Sequence, residues 1–260
     1  MKTIRIFEAF AGYGSQSMAM ERLRKEGILD YKVVGISEID QFAIQAYYTC
    51  HDKDIPNYGD ISKIDWHNVP NFDLFTYSFP CTDISNAGLQ KGFSEGSGTR
   101  SGLLWECKKA IEIKKPKYLL MENVKALIQK KFMPEFVKWQ EYLCSLGYDN
   151  YWQVMNAKNY GVPQNRERVF MVSILGEEKK YHFPKPFESD KRLRHILEDD
   201  VPENYFLSDE KLQAIISHCN RKQAEGCGFK TNFQDGVGVS GTIKTKEGQR
   251  EYDTYIKVKK

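Results

Sequence analysis

Four side chains that could cooperate in covalent catalysis stand at the ends of predicted strands. Cys81 follows one predicted strand, and Glu122 ends the next one along the chain. Arg166 and Arg168 lie just before a further strand, and their alternation places them on one face of an extended segment. Ligands of parallel α/β sheets bind outside the carboxyl ends of the strands. We therefore expect a thiol, a carboxyl group and two guanidinium groups at one edge of a sheet.

These side chains, beside a nucleotide-type pocket, suit methyl transfer to C5 of a cytosine ring. That carbon is too weak a nucleophile to take a methyl group unaided, but a thiolate that adds at C6 converts the ring into an enamine. A protonated carboxyl such as Glu122 could give N3 a proton or a strong hydrogen bond, since a dry pocket raises a carboxyl pKa. An arginine could hold the O2 carbonyl, where negative charge builds up. The methyl group would then pass from a sulfonium to C5, and loss of the C5 proton would expel the cysteine.

A glycine turn after the first predicted strand is suited to a nucleotide-type cofactor. It spans Phe10–Gly14, and its glycines let the backbone approach a ligand closely. The helix that follows favours an anionic group at its N-terminus. Glu38 ends the second strand, where a carboxylate can accept hydrogen bonds from ribose hydroxyls. Ser17 occupies the third glycine position of the dinucleotide fingerprint, which disfavours NAD and leaves a plain tight turn as the alternative.

Short apolar segments alternate with helix-like stretches through about residue 176, which predicts a Rossmann-like, doubly wound α/β fold with a mostly parallel sheet. The predicted strands are Ile4–Phe7, Lys32–Ser37, Asp73–Ser78, Tyr118–Glu122, Tyr151–Met155 and Val169–Leu175. The predicted helices are Ser15–Lys25, Gln41–Cys50, Gly102–Ile113, Met133–Leu146 and, further along, Ser208–Cys219. A glycine-rich loop, Thr82–Ser101, is long enough to act as a mobile lid and contains Gly88. The pattern changes near Pro184, so we expect a main domain at 1–185 and a short, incomplete second region at 186–260.

The composition is that of a soluble globular protein. Of 260 residues, 41% are hydrophobic and 28% charged, and the net charge of +3 does not by itself point to nucleic acid. No apolar stretch could span a bilayer and no signal peptide is evident, so we expect a cytoplasmic protein without a membrane partner. Six cysteines without a Cys-x-x-Cys pair predict neither a zinc site nor a disulfide framework, and each is by default a small buried hydrophobe.

Seven short motifs follow one another along about residues 1–175. They are Phe-x-Ala-Phe-Ala-Gly-x-Gly (7–14), Ser-Glu-Ile-Asp (37–40), Gly-Asp-Ile (59–61), Phe-Pro-Cys (79–81), Gly-Leu-Leu-Trp-Glu (102–106), Glu-Asn-Val (122–124) and Gln-x-Arg-x-Arg (164–168). Any one could occur by chance, but the ordered set is highly specific and resembles that of the DNA (cytosine-5)-methyltransferases. The resemblance implies a class I methyltransferase fold, S-adenosylmethionine as the cofactor, double-stranded DNA as the substrate and a bacterial or phage-type enzyme.

The resemblance also implies roles for the residues around the base. Cys81 would attack C6 and Pro80 would shape its turn. Glu122 would contact N3 and the exocyclic amine. Arg168 matches the arginine that binds O2, and Arg166 would support the site. The glycine-rich loop after the cysteine resembles the one that closes over DNA, and the family extrudes its target base from the duplex, which brings C6 within reach of the thiolate.

On the cofactor side, the resemblance implies contacts with each part of S-adenosylmethionine. Glu38 would hold the ribose hydroxyls, Phe10 would pack on the adenine, and Asp60 would accept from the adenine amino group. Two alternatives remain, a core position for Phe10 and a helix N-cap for Asp60. The implied contacts are Phe10, Ala11, Gly12, Gly14, Glu38, Ile39, Asp60, Ile61 and Leu104.

The chain departs from the family pattern beyond residue 186. The family continues into a helix that supports the DNA-reading region and a Gly-Asn-Ser-Val-like turn that borders the cofactor pocket, and neither motif occurs here. We therefore expect a split enzyme complemented by a second chain, or a truncated product, with a minimal enzyme as a third possibility. Competing hypotheses are the same chemistry on transfer RNA and an inactive subunit that only holds cofactor or DNA. The motifs fit restriction–modification, solitary and phage-borne enzymes alike.

Overall fold

The computed structural model describes residues 3–85, 90–176, 180–226, 232–243 and 254–257. Gly88 of the predicted lid and Cys227, one of the six cysteines, lie outside the described residues. Within the described ranges, no helix has the length and apolar character needed to cross a bilayer. Two compact units divide the chain, one with residues up to Val154 and Arg168–Phe183, the other with Met155–Glu167 and the residues from Pro184 onward. The domain boundary predicted at residue 185 stays a prediction.

Six strands form one sheet in the order β2-β1-β3-β4-β6-β5. The strands are β1 (Thr3–Ala9), β2 (Asp30–Ser37), β3 (Leu74–Tyr77), β4 (Tyr118–Val124), β5 (Tyr148–Asn156) and β6 (Glu167–Leu175). The helices between them are α1 (Ser15–Lys25), α2 (Gln41–Cys50), α3 (Cys107–Lys114) and α4 (Met133–Ser145). The helix predicted from Gly102 begins as a 3₁₀ helix at Ser101–Glu106 before α3. The predicted mixed α/β fold with a mostly parallel sheet is confirmed.

Three pairs of neighbouring strands run parallel, and an antiparallel pair matters for the site. β1 pairs in parallel with β2 and β3, and β3 pairs in parallel with β4. β6 instead runs antiparallel to β4, with Glu122 opposite Phe170 and Val124 opposite Arg168. The first residues of β6 therefore lie beside the last residues of β4. This pairing brings an arginine from the start of one strand to the carboxyl end of another.

The central strands are buried and packed on aromatic side chains. All four residues of β3 are buried, as expected for a strand covered on both faces. Phe7, Trp66, Phe72 and Phe75 form a cluster with ring centroids 5.0–6.4 Å apart. Each such aromatic pair contributes about 0.5–1.5 kcal/mol beyond the burial of its area. Well-packed strands thus carry the loops that hold the predicted site residues.

The second unit contains one long helix and a small sheet. Helix α5 spans Asp209–Ala224, and the parallel strands β7 and β8 span Asn232–Gln234 and Thr254–Ile256. The hydroxyl of Ser208 caps α5 by accepting the N–H of Lys211 at 3.3 Å. The helix predicted at Ser208–Cys219 is therefore present and runs one turn further.

The cysteines divide into buried and exposed ones. Cys107 and Cys219 are buried, as expected for small apolar side chains. Cys50 and Cys144 are exposed, so the default expectation of burial is wrong for these two. Both stand at or near the C-terminal ends of their helices, α2 and α4, outside the buried helix faces. Cys81 is half-buried, unlike either group.

Candidate active site

Cys81 lies in a tight turn beyond the carboxyl end of β3. Its carbonyl accepts the N–H groups of Ile84 and Ser85 at 3.1 and 2.8 Å, so the chain folds back directly after the cysteine. Cys81 and the preceding Pro80 are both half-buried, and Cys81 packs partly against the hydrophobic core. A reactive cysteine needs such partial exposure, because a fully buried thiol is inert.

The Cys81 turn leaves the sheet beside the end of β4. Tyr77 of β3 pairs with Met121 of β4. Two residues beyond this pair, the side-chain amide of Asn123 in β4 donates to the carbonyl of Phe79, which follows the end of β3, at 2.9 Å. Glu122 directly precedes Asn123, so the thiol and the carboxyl group come from adjacent strands at one edge of the sheet. Asn123 was expected only as part of the Glu-Asn-Val motif, and this contact was not predicted from the sequence.

Glu122 and Arg168 form an ion pair across the antiparallel strands. Arg168 Nε lies 3.0 Å from Glu122 Oε1, and the two side chains are 16% and 21% exposed respectively. Partial exclusion of water strengthens the attraction between opposite charges relative to an exposed pair. The structure therefore brings Cys81, Glu122 and Arg168 to the same edge of the sheet, as the sequence predicted.

Arg166 lies in the second unit, in the segment before β6. Its N–H donates to Asn156 Oδ1 at 3.1 Å, and its carbonyl accepts the N–H of Ala157 at 3.0 Å. The Asn156 amide also donates to Asn165 Oδ1 at 2.7 Å. These bonds fix the backbone of the segment. The supporting role of Arg166 stays a prediction.

At the other end of the candidate site, Glu38 closes the glycine turn. Its Oε2 accepts the N–H of Gly12 at 2.9 Å, and its Oε1 accepts the N–H groups of Ile39 and Asp40 at 2.8 and 2.9 Å. Gly12 has a φ of +58°, and a Cβ added there would meet nothing within 4 Å, so open space lies beside the turn. A carboxylate acceptor next to this space, at the N-terminus of α1, fits a ligand with ribose hydroxyls and an amino-acid carboxylate, as S-adenosylmethionine has.

A buried carboxylate behind the glycine turn was not predicted from the sequence. Glu8 is 1% exposed and accepts from the N–H and the hydroxyl of Ser17 at 3.1 and 2.7 Å, and from the hydroxyl of Tyr47 at 2.7 Å. These bonds join β1, α1 and α2. Burial, followed by the charge of Glu8, raises the pKa of Tyr47 above its usual value, which keeps the phenol protonated as a donor.

The remaining predicted cofactor contacts differ in exposure. Ile39 is exposed, whereas Phe10 is half-buried with a positive φ of 55°. Asp60 Oδ1 accepts the N–H and the hydroxyl of Ser62 at 3.0 and 2.8 Å, so Asp60 caps a 3₁₀ helix. The hydrogen bond from the Ser62 side chain is the main cause of a lowered Asp60 pKa. The other three, all buried, are Ala11, Ile61 and Leu104. Their contact with the cofactor stays a prediction.

The sheet and its glycine turn define a class I S-adenosylmethionine-dependent methyltransferase fold. The Dnmt2 methyltransferase of S. pombe superposes with a TM-score of 0.67 and 17% identity, covering 91% of this chain and 69% of that chain. The Entamoeba histolytica methyltransferase EhMeth superposes with a TM-score of 0.68 and 18% identity, with the same coverages of 91% and 69%. At these identities the likeness concerns the fold.

Sequence similarity defines the family. The profile of the C-5 cytosine-specific DNA methylases matches residues 4–260. The type II methyltransferase M2.ScrFI of Lactococcus lactis subsp. cremoris is 40% identical, across 95% of this chain and 81% of its own. The orphan methyltransferase M.SssI of Spiroplasma monobiae is 34% identical, across 80% of this chain and 68% of its own. The chain therefore belongs to the C-5 cytosine-specific DNA methylase family. It is a DNA (cytosine-5)-methyltransferase with S-adenosylmethionine as its cofactor.

Proposed function

We propose that this chain methylates C5 of cytosine through a covalent bond between Cys81 and C6 of a base extruded from duplex DNA. The observation that carries the proposal is that the Cys81 turn and the Glu122–Arg168 ion pair lie at the same edge of the sheet. A cytosine held there meets a sulfur nucleophile, a carboxyl group and a guanidinium. The base must leave the duplex because C6 cannot be reached by a protein side chain within the base stack.

The chemical sequence starts from the thiolate of Cys81. Its sulfur bonds to C6 while the C5–C6 π pair shifts to C4–C5 and the C4–N3 π pair shifts onto N3. Glu122 first takes up a proton from water, gives up its ion pair with Arg168 and passes that proton to N3. Arg168 then donates to O2, so that C5 becomes the carbon of a neutral enamine. S-Adenosylmethionine, when bound, supplies the methyl group as an electrophilic sulfonium. C5 would take this methyl group as the bond from the methyl group to the cofactor sulfur breaks and S-adenosylhomocysteine leaves, and C5 then releases its own proton to water. The C5–C6 double bond reforms, the sulfur leaves C6, and N3 returns its proton to Glu122.

We assign the cofactor to the glycine turn and the end of β2. Glu38 accepts from the ribose hydroxyls, and the turn at Gly12 and Gly14 approaches the methionine part. The open space beside Gly12 and the carboxylate 2.9 Å from its N–H support this assignment. Phe10, at the start of the same turn, packs on the adenine.

The main test is transfer of tritiated methyl groups to duplex DNA of mixed sequence. Cys81→Ser is compared with wild type and with Cys50→Ser, which changes an exposed cysteine at the end of α2. We expect Cys81→Ser to lose at least roughly 100-fold in rate because the covalent route is closed. Cys50→Ser should label DNA like wild type. Equal labelling by Cys81→Ser and wild type would exclude the covalent mechanism. The same assay with transfer RNA distinguishes the two substrates. Labelling of RNA instead of DNA would show that the proposed substrate is wrong.

Duplex DNA that contains 5-fluorocytosine tests the adduct itself. Fluorine in place of the C5 hydrogen cannot leave as a proton, so the protein and the DNA stay joined after methyl transfer. We expect a complex that survives denaturing electrophoresis, requires the cofactor and is absent with Cys81→Ser. A complex that forms equally well without this thiol contradicts the bond to C6.

We also propose that a second chain contributes to this site. Its support is apolar surface at and just before α2, where Phe42 and Ile39 are 81% and 59% exposed. Methyl transfer is measured with and without a candidate chain, and calorimetry measures cofactor binding to this chain alone. We expect the added chain to raise DNA labelling above that of this chain alone. Full activity of the isolated chain would remove the second chain from the proposal.

A further inference from the structure

Two buried side chains hold the backbone that leads into Cys81. Asn123, which is 2% exposed, donates its amide to the Phe79 carbonyl at 2.9 Å. Ser101, which is fully buried, donates its hydroxyl to the Pro80 carbonyl at 2.6 Å. The carbonyls of the two residues before the cysteine are therefore each held by a side chain from elsewhere in the chain.

The bond from Ser101 acts directly on the position of Cys81. Proline has no N–H, so the carbonyl is the sole hydrogen-bonding group of the Pro80 backbone. The peptide unit that joins Pro80 to Cys81 is planar. A hydrogen bond that fixes the oxygen of this peptide therefore also fixes the nitrogen of Cys81. The direction of the chain from Pro80 to Cys81 is fixed with it.

Ser101 also joins the two ends of the loop Thr82–Ser101. Its hydroxyl accepts the N–H of Asp83 at 3.1 Å, and its own N–H donates to Asp83 Oδ2 at 3.1 Å. Asp83 is buried, and its carbonyl accepts the N–H of Gly92 at 2.9 Å. The Ser101 hydroxyl thus bonds to Pro80, which precedes the cysteine, and to Asp83 at the start of the loop. Ser101 itself is the last residue of the loop.

We propose that Ser101 is a positioning residue that couples the ends of the Thr82–Ser101 loop to the orientation of the Cys81 thiol. The inference rests on the proposed role of Cys81 as the nucleophile. A merely structural role would lower stability and leave the rate of the bound complex unchanged. A positioning role lowers the rate of adduct formation at saturating cofactor and DNA, because the sulfur no longer faces C6 in the required direction.

The test compares Ser101→Ala with Ser173→Ala in the single-turnover rate of adduct formation on 5-fluorocytosine DNA. Ser173 is a matched control, since it is fully buried in β6 and its hydroxyl makes one bond of 2.6 Å, to Asn150 Oδ1. We expect Ser101→Ala to slow adduct formation by about 10- to 100-fold with cofactor affinity within about twofold of wild type. Ser173→Ala should lose stability but keep the wild-type rate.

The outcomes separate this inference from the proposed function. If Ser101→Ala keeps the wild-type rate while Cys81→Ser forms no adduct, the inference is wrong and the covalent mechanism stands. If Cys81→Ser is fully active in methyl transfer, the mechanism itself fails. Ser101→Thr keeps the hydroxyl and should recover most of the rate. Should Ser101→Ala not fold, Ser101→Cys, a similar side chain with a weak donor, is judged by the same criterion.

Discussion

Replacing Tyr47 with phenylalanine tests whether the buried carboxylate of Glu8 holds the cofactor end of the fold together. Glu8 accepts three hydrogen bonds, two from Ser17 and one of 2.7 Å from the Tyr47 hydroxyl. Tyr47→Phe removes a single oxygen and leaves the ring, so the change creates almost no cavity. The two bonds from Ser17 remain. The measured effect therefore reports one hydrogen bond to a buried carboxylate.

The size of the effect follows from the charge and burial of the acceptor. A hydrogen bond to a charged group contributes about 1.5–3 kcal/mol, and a buried group that loses a partner pays for its desolvation in full. We expect Tyr47→Phe to lower the free energy of unfolding by about 2 kcal/mol. For a chain of this size the melting temperature should fall by roughly 4–8 °C.

Urea unfolding followed by tryptophan fluorescence measures this loss, and the neighbouring residue provides a matched control. Tyr48 also donates one hydroxyl bond, of 2.8 Å, but to the carbonyl of Ile55 at a half-buried position. Tyr48→Phe should cost about 1 kcal/mol or less, because the bond is between neutral groups and water can replace the lost donor. Equal losses for the two variants, or a Tyr47→Phe loss under about 0.5 kcal/mol, would refute the argument that the Glu8 carboxylate organises this region.

Three further outcomes follow from the structure. Gly14→Ala should weaken S-adenosylmethionine binding by at least roughly tenfold in calorimetry. The added Cβ would collide with the His51 ring, and the φ of +79° costs a non-glycine residue about 1–2 kcal/mol. Unchanged affinity would contradict the cofactor assignment. Arg168→Lys should lower methyl transfer by about 100-fold with the fold retained, since lysine cannot reproduce the Nε bond to Glu122, and wild-type transfer would exclude this role. Burial raises the pKa of Tyr77, so the contribution of the neutral phenol to stability is complete below about pH 10 and is lost as the pH rises further. The urea midpoint should therefore fall less steeply between about pH 8 and 11 in Tyr77→Phe than in wild type.

Local sequence signals located the helices and strands of the first unit, although the helix predicted from Gly102 begins as a 3₁₀ helix. Helix α2 begins and ends where it was predicted, at Gln41–Cys50. Its start follows from Asp40, whose carboxylate accepts the N–H groups of Phe42 and Ala43. Strand β3 is apolar apart from Thr76 and shows no polar alternation, which predicts burial on both faces without any knowledge of its neighbours.

The direction of β6 could not be predicted from local signals. Val169–Leu175 has the same apolar character whether it runs parallel or antiparallel to β4. In a parallel strand, Arg168 would lie at the amino edge of the sheet, away from Glu122. The antiparallel register places Arg168 opposite Val124 instead. The sequence predicted that the motif residues share one edge of the sheet. The antiparallel direction of β6, which allows this, became known only from the structure.

The contacts around Cys81 could not be predicted from any periodic pattern in the sequence either. Ser101 and Asn123 are 21 and 44 residues beyond their partners, Pro80 and Phe79 respectively, and each reaches a carbonyl beyond the last paired residue of β3. A single polar side chain that bonds to one distant carbonyl has no repeat and no composition signal. Burial was the property that could have identified both, since a buried serine or asparagine must find a partner. Asn123 of the Glu-Asn-Val motif and Ser101, the residue before Gly102, therefore hold the backbone that leads into Cys81, in addition to their place in the motif order.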